Sequence, residues 1–103
     1  MSIANEARGE ASLEIGGKAC LLRPTFEALV LAEEELGPLF ALVERAGEGR
    51  LKLSEMASLF WFCLVERDLV SRQQVGGAVA AQGLAACAKP LRTLLGQILQ
   101  GQG

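Results

Sequence analysis

The side chains that most often carry catalysis are sparse in this sequence. Its 103 residues contain no histidine and no tyrosine, so the commonest general base, the commonest metal ligand and every histidine-containing triad are missing. The three cysteines, Cys20, Cys63 and Cys87, form no CxxC pair and cannot all pair within one chain. We expect buried, reduced thiols. The sequence therefore predicts no catalytic residue, no metal ligand and no cofactor, and we expect that the protein is not an enzyme.

Two short motifs resemble binding sites, but local structure explains them better. Gly16-Gly17-Lys18 lacks the upstream glycine, the Ser or Thr after the lysine and the following helix of a phosphate-binding loop, so we interpret it as a hairpin turn. Glu33-Glu34-Glu35 fall in the last turn of a predicted helix, without a His or Asp to complete a metal site. We predict a solvated acidic face there, and a docking patch for a basic partner is the alternative.

The balance of charged and apolar residues excludes several classes of protein. Half of the residues are hydrophobic, and ten Lys and Arg stand against twelve Asp and Glu. Disordered tails have fewer apolar residues, and nucleic-acid-binding domains carry an excess of basic ones. The longest apolar stretch, residues 56–65, is about half the length of a membrane span, and the N-terminus lacks the pattern of a signal peptide. We expect a cytoplasmic protein with no membrane span, no nucleic-acid partner and no small-molecule substrate.

The order of the predicted elements indicates the fold class. Ala11, Leu13 and Ile15 alternate with polar residues and a Gly-Gly pair follows, which predicts a hairpin whose second strand covers residues 18–23. Helices are predicted to begin after Thr25, at about Pro38, near Ser54, after Ser71 and at Pro90, with residues 84–89 left ambiguous. Strands followed by helices predict an α+β fold, with an N-terminal hairpin packed on four or five helices. We expect one domain over residues 1–103, with residues 1–8 and 101–103 frayed.

Two of these helices carry long apolar stripes. The third predicted helix has a core stripe of Met56, Leu59, Phe60, Cys63 and Leu64, and its remaining circumference is also apolar. The last helix has a second stripe of Leu91, Leu94, Leu95, Ile98 and Leu99. Few helices of so small a domain are enclosed on every side, so the third helix is either entirely core or partly an interface. The candidate partner-binding residues are Trp61, Phe62 and Val65, with Leu91, Leu95 and Ile98 as a second set.

Short motifs in the first half of the chain resemble a known family. They are, in order, Asn5-Glu6-Ala7-Arg8-Gly9-Glu10, the hairpin around Gly16-Gly17-Lys18, Leu22-Arg23-Pro24-Thr25-Phe26-Glu27-Ala28-Leu29, Glu33-Glu34-Glu35-Leu36-Gly37, Leu39-Phe40-Ala41-Leu42-Val43-Glu44-Arg45 and Gly49-Arg50-Leu51. Over about the first 55 residues, the series resembles small tail-assembly proteins of gene transfer agents, phages and prophages, also described as tail tube or tail assembly chaperone proteins. The aromatic run Phe60-Trp61-Phe62 departs from that pattern.

The resemblance implies a non-enzymatic role in building a phage-like tail. Tail assembly chaperones of this kind coat the apolar, helical tape measure protein and recruit tail tube subunits, so the expected partner is the tape measure or the tail tube protein. Two alternatives remain open. One is a small homodimeric structural module without a phage role, and the other is a tail tube subunit that polymerises through the edge of the hairpin.

Overall fold

A computed structural model describes residues 10–101, which begin with a β-hairpin. Strands β1 (Ala11–Ile15) and β2 (Lys18–Leu22) pair antiparallel, with Ile15 opposite Lys18 beside the turn. Gly16 and Gly17 both have positive φ, as a two-residue hairpin turn requires. The inward side chains of β1 are buried and the alternate ones are exposed, which confirms the predicted alternation. The fraying expected at residues 1–8 and 102–103 lies outside the described residues.

Five α-helices follow the hairpin within residues 10–101, and the α+β prediction is confirmed. They are α1 (Phe26–Leu36), α2 (Leu39–Gly47), α3 (Leu53–Cys63), α4 (Arg72–Gln82) and α5 (Leu84–Gln100), with a short 3-10 turn at Arg67–Leu69. No helix in this part of the chain is both long enough and apolar enough to cross a membrane.

At the starts of α1, α3 and α4, side chains accept hydrogen bonds from backbone N–H groups. The Thr25 hydroxyl accepts from the Ala28 N–H at 3.1 Å, as predicted. Ser71 and Gln74 form a reciprocal capping box, in which each side chain accepts from the other's backbone N–H. At α3, where the sequence predicts a cap at Ser54 or a neighbour, the Glu55 carboxylate accepts from the Lys52 N–H at 2.9 Å.

Helix α5 begins six residues before the predicted start at Pro90, and the ambiguous segment is helical. Gly83, with φ +87°, separates α5 from α4. The alanine-rich segment that follows favours helix, and Cys87 anchors it because its side chain is fully buried. Pro90 removes one hydrogen bond to the carbonyl of Ala86, a residue that is exposed to water. Burial of Cys87 therefore compensates for the backbone hydrogen bond that is lost at Pro90, a residue type that usually occurs in the first turn of a helix.

Helix α3 ends at Cys63, and the chain then pairs with the outer edge of β2. Leu64 forms an antiparallel bridge with Leu22. The Arg23 N–H donates to the Cys63 carbonyl at 2.7 Å, and the Val65 N–H donates to the Leu21 carbonyl at 3.1 Å. These bonds attach the hairpin to the end of the most buried helix.

The core lies between the inner face of the hairpin and the helices. All five residues of the predicted α3 stripe are buried, which confirms that stripe. The largest fully buried side chains come from every α-helix except α1 and from β2; they are Phe60, Leu22, Leu42, Leu59, Leu94, Val75, Val79, Cys63 and Cys87. Helix α1 contributes the small residues Ala28 and Ala32 instead.

Candidate protein-binding site

Two of the predicted partner-binding residues on α3 are covered by other parts of the same chain. Phe62 is only 6% exposed, and Trp61 is half-buried. The Trp61 indole N–H donates to the Val70 carbonyl at 2.7 Å. The Arg72 guanidinium lies 4.6 Å from the centre of the Trp61 ring and 4.8 Å from that of Phe62. Phe62 therefore belongs to the core, whereas Val65, just beyond the helix end, is 49% exposed.

Part of the acidic run on α1 has a structural role. Glu35 pairs with Arg72 at 2.6 Å, which joins α1 to α4. The Glu33 carboxylate accepts from the Leu39 N–H at 3.1 Å and so caps the start of α2. Glu34 is exposed. Two of the three carboxylates in Glu33-Glu34-Glu35 thus make contacts within the chain. The acidic run is therefore neither an entirely solvated face nor a docking patch in which all three carboxylates are available to a basic partner.

The second predicted set lies along α5. Leu91, Leu95 and Ile98 are half-buried against the core, and the fully buried member of their stripe is Leu94. Ile98 reaches a surface groove together with Leu99, which is 53% exposed. All three predicted residues thus pack against the core, and Ile98 also lines a surface groove.

The most exposed aromatic side chains of the described chain meet at that groove. Phe26 is 84% exposed and Phe40 is 71% exposed. We name this feature the α1–α2 groove; it has a volume of about 370 Å³ and is lined by Phe26, Leu29, Val30, Glu33, Leu39, Phe40, Val43, Ile98 and Leu99. Four of the eight large apolar residues that are exposed within residues 10–101 line it. Such clustering is typical of a protein-binding surface, since isolated exposed apolar residues are ordinary.

Phe26 and Phe40 were not among the predicted binding residues. The sequence places Phe26, Leu29 and Val30 on one face of the first helix, but Ala28 and Ala32 face the core instead. Small side chains on the inner face leave the larger ones on the outer face. A signal for this was present in the spacing of Ala28 and Ala32, four residues apart, and in apolar residues on both sides of the Gly37-Pro38 corner.

A second and larger groove runs beside the hairpin. We name it the β2 groove; its volume is about 940 Å³, and β2, residues 64–70 and α4 line it. Val65 and Leu69 are its exposed large apolar residues. Ala19 directs its N–H and C=O toward the outer edge of β2, because residues alternate and Leu21 already bonds outward to Val65. The half-buried Cys20 also lines this groove.

Two of the three cysteine thiols lie in buried positions of the described chain. Burial raises the pKa of the Cys63 thiol to about 12 and also raises the pKa of Cys87. Within residues 10–101, no three His, Cys, Asp or Glu side chains cluster closely enough to hold a metal ion. On the surface of the described residues, the α1–α2 groove and the β2 groove offer apolar side chains for contact.

Comparison with known protein families identifies a match over most of the chain. Residues 8–101 match the model of a family described as phage tail tube protein, GTA-gp10. No curated protein and no solved structure matches the chain. The matched segment contains the hairpin, the five helices and both grooves, and it extends well past the first 55 residues that carry the sequence motifs.

Proposed function

The chain belongs to the phage tail tube protein family GTA-gp10, and from this premise we propose that it is a tail assembly chaperone. It works without a catalytic step in the cytoplasm and holds an apolar helix of another tail protein in the α1–α2 groove. The tape measure protein is the first candidate for that helix, and the tail tube protein is the second. The family assignment supports a structural role in a phage-like tail, and the groove supports the binding of a helix.

The observation that carries the proposal is the exposure of Phe26 and Phe40 on the two walls of one groove. Aromatic side chains supply much of the binding energy of protein interfaces when a partner desolvates them. A groove lined by helices suits the apolar face of another helix, which presents side chains at i, i+3, i+4 and i+7. Both phenylalanines are exposed in the free chain, so neither must leave the core to reach a partner.

The test is binding of a labelled helical peptide from the tape measure protein of the same tail, followed by fluorescence anisotropy. Phe26→Ala and Phe40→Ala are each expected to weaken binding by about tenfold or more. Leu84→Ala is the matched control, because Leu84 is 60% exposed and lines neither groove. Equal binding by all three variants and the parent chain would show that the peptide does not bind in the α1–α2 groove. Absence of binding to any tape measure or tail tube peptide would remove the chaperone role.

A tail tube subunit is the second candidate, and the family description favours it directly. Polymerisation through the hairpin would use the outer edge of β2. That edge is open at Ala19 and partly occupied beyond it, because the Arg23 N–H bonds to the Cys63 carbonyl and the Leu21 carbonyl to the Val65 N–H. The outer edge of β1 is also partly occupied, since the Gln82 amide donates to the Glu14 carbonyl.

Sedimentation separates the candidates. A tube subunit is expected to polymerise and to lose polymerisation in Ala19→Pro, which removes the edge N–H donor. A chaperone is expected to sediment as a small species whose size Ala19→Pro does not change. A stable dimer would favour the homodimeric module instead.

A further inference from the structure

We propose that the α1–α2 groove selects helices whose apolar stripe is flanked by lysine or arginine. The inference rests on the proposed function and adds the chemistry of the partner. It follows from the carboxylates that α1 and α2 place beside the groove lining in the part of the chain that the structure describes.

Three carboxylates surround the apolar lining. Glu33 is itself a lining residue. Glu34 follows Val30 by four positions on α1, and Glu44 follows Phe40 by four positions on α2. Residues four apart are neighbours on a helix surface, so each wall of the groove carries a carboxylate beside its apolar residue. The lining contains no lysine and no arginine.

Glu34 and Glu44 differ in their partners from several other carboxylates of the described chain. Other acidic residues of the same helices and of α3 pair with arginine, as Glu27 does with Arg67, Glu35 with Arg72 and Glu55 with Arg45. The side chains of Glu34 and Glu44 make no ion pair or hydrogen bond with any residue in the range 10–101. At the end of α5, which forms the third wall, residues 93–101 contain no charged side chain, and Arg92 lies about two turns before Leu99.

This charge pattern is expected to discriminate between partner helices. A partner with Lys or Arg beside its apolar stripe gains attraction on both walls, whereas a partner with Glu there meets repulsion. Each exposed pair contributes little alone, so several pairs together are expected to give about a tenfold preference at low salt. The same preference should shrink as salt screens the rim.

The test uses two designed peptides with the same leucine stripe and equal helicity, one flanked by lysine and one by glutamate. Anisotropy at low and high salt measures the two dissociation constants. We expect the lysine peptide to bind about tenfold more tightly at low salt. The double variant Glu34→Gln/Glu44→Gln should lose most of this preference while it still binds. Glu66→Gln/Asp68→Asn is the control, since it also removes two negative charges and both carboxylates are exposed outside the α1–α2 groove.

Each outcome has one reading. Equal affinity for both peptides would overturn the charge selection and leave the proposed helix binding intact. A preference that Glu66→Gln/Asp68→Asn lowers as much as Glu34→Gln/Glu44→Gln does would also overturn it, because net charge would then be the cause. Binding of neither peptide would instead count against the proposed function. Concentration-dependent dimerisation that the double variant abolishes would make a second copy the occupant and overturn the inference.

Discussion

The aromatic residues sort into two groups by what covers them. Phe60 is fully buried, and Phe62 lies beneath the Arg72 guanidinium. Phe26 and Phe40 instead present most of their rings to solvent. Large apolar side chains in the first group stabilise the fold, and those in the second are available to a partner.

The two groups should respond differently to truncation. Phe60→Ala leaves a cavity in the core and is expected to lower the free energy of unfolding by about 3–5 kcal/mol. Phe26→Ala removes an exposed ring and is expected to change it by less than about 0.5 kcal/mol. Urea unfolding followed by circular dichroism measures both values. A large loss in Phe26→Ala would mean that this ring stabilises the monomer.

The three cysteines, like the phenylalanines, differ in how far their side chains are buried. Cys63 and Cys87 are almost fully buried and have raised pKa values, whereas Cys20 is half-buried in the β2 groove. A thiol-reactive dye at neutral pH is expected to label one cysteine rapidly in the native protein and all three in urea, because thiolates are the reactive species. Cys20→Ser should abolish the rapid phase. Rapid labelling of that variant would place another thiol at the surface.

At the scale of elements, α4 is a helix with an intrinsic weakness. Gly76 and Gly77 lie inside it in ordinary helical conformation, and an added Cβ at either position would meet no atom within 4 Å. The sequence leaves open whether this pair permits a close approach or only weakens the helix. The open space around both positions favours the second interpretation.

Gly77→Ala is therefore expected to stabilise the chain. Alanine loses less backbone entropy than glycine in a helix, and the gain should be about 0.5–1 kcal/mol. Thermal unfolding of the variant and the parent measures it. Gly83→Ala is the contrasting variant, because Gly83 has φ +87° and a side chain there is strained. Destabilisation by Gly77→Ala would reveal a contact that the open space excludes.

Helices α2 and α3 are joined by a bidentate ion pair. Two guanidinium nitrogens of Arg45 donate to the two carboxylate oxygens of Glu55 at 2.8 and 2.7 Å. Hydrogen bonds from Arg45, and then from the Lys52 N–H, lower the pKa of Glu55 from 4.5 to about 2. A carboxyl group with a lowered folded-state pKa stabilises the fold above its unfolded pKa, and this contribution is lost as pH falls.

The free energy of unfolding is therefore expected to fall between about pH 4.5 and about pH 2 through this pair. Glu55→Gln should be less stable at neutral pH and should lose less stability over that interval. Urea unfolding at several pH values gives both slopes. Parallel slopes in variant and parent would show that Glu55 does not contribute to the acid transition.

At the scale of the whole molecule, local sequence patterns predict most of the strands and helices. They do not predict which residues from other elements pack against them. The hairpin and the caps at Thr25 and Ser71 depend on neighbouring residues, so the sequence alone predicts them. The extension of α5 through Pro90 depends on burial of Cys87, which only tertiary packing decides. In the same way, a helical wheel shows that Trp61 has apolar neighbours but not that Arg72 of another helix covers its ring.

The two grooves share no lining residue. The α1–α2 groove is formed by three helices, and the β2 groove by the hairpin edge, the segment after α3, and α4. Occupation of one therefore leaves the lining of the other in place. The chain therefore has room for a helix at one groove and for a different segment of a partner at the other.

The short corner between α1 and α2 has a consequence for the rate of binding. Gly37, at φ +86°, and Pro38 are the only residues between the two helices, and Glu33 bonds across them to Leu39. The walls of the α1–α2 groove are thus tied together before any partner arrives. The slow step in complex formation then belongs to the incoming segment, and a peptide stapled as a helix should associate faster than the same peptide as a random coil.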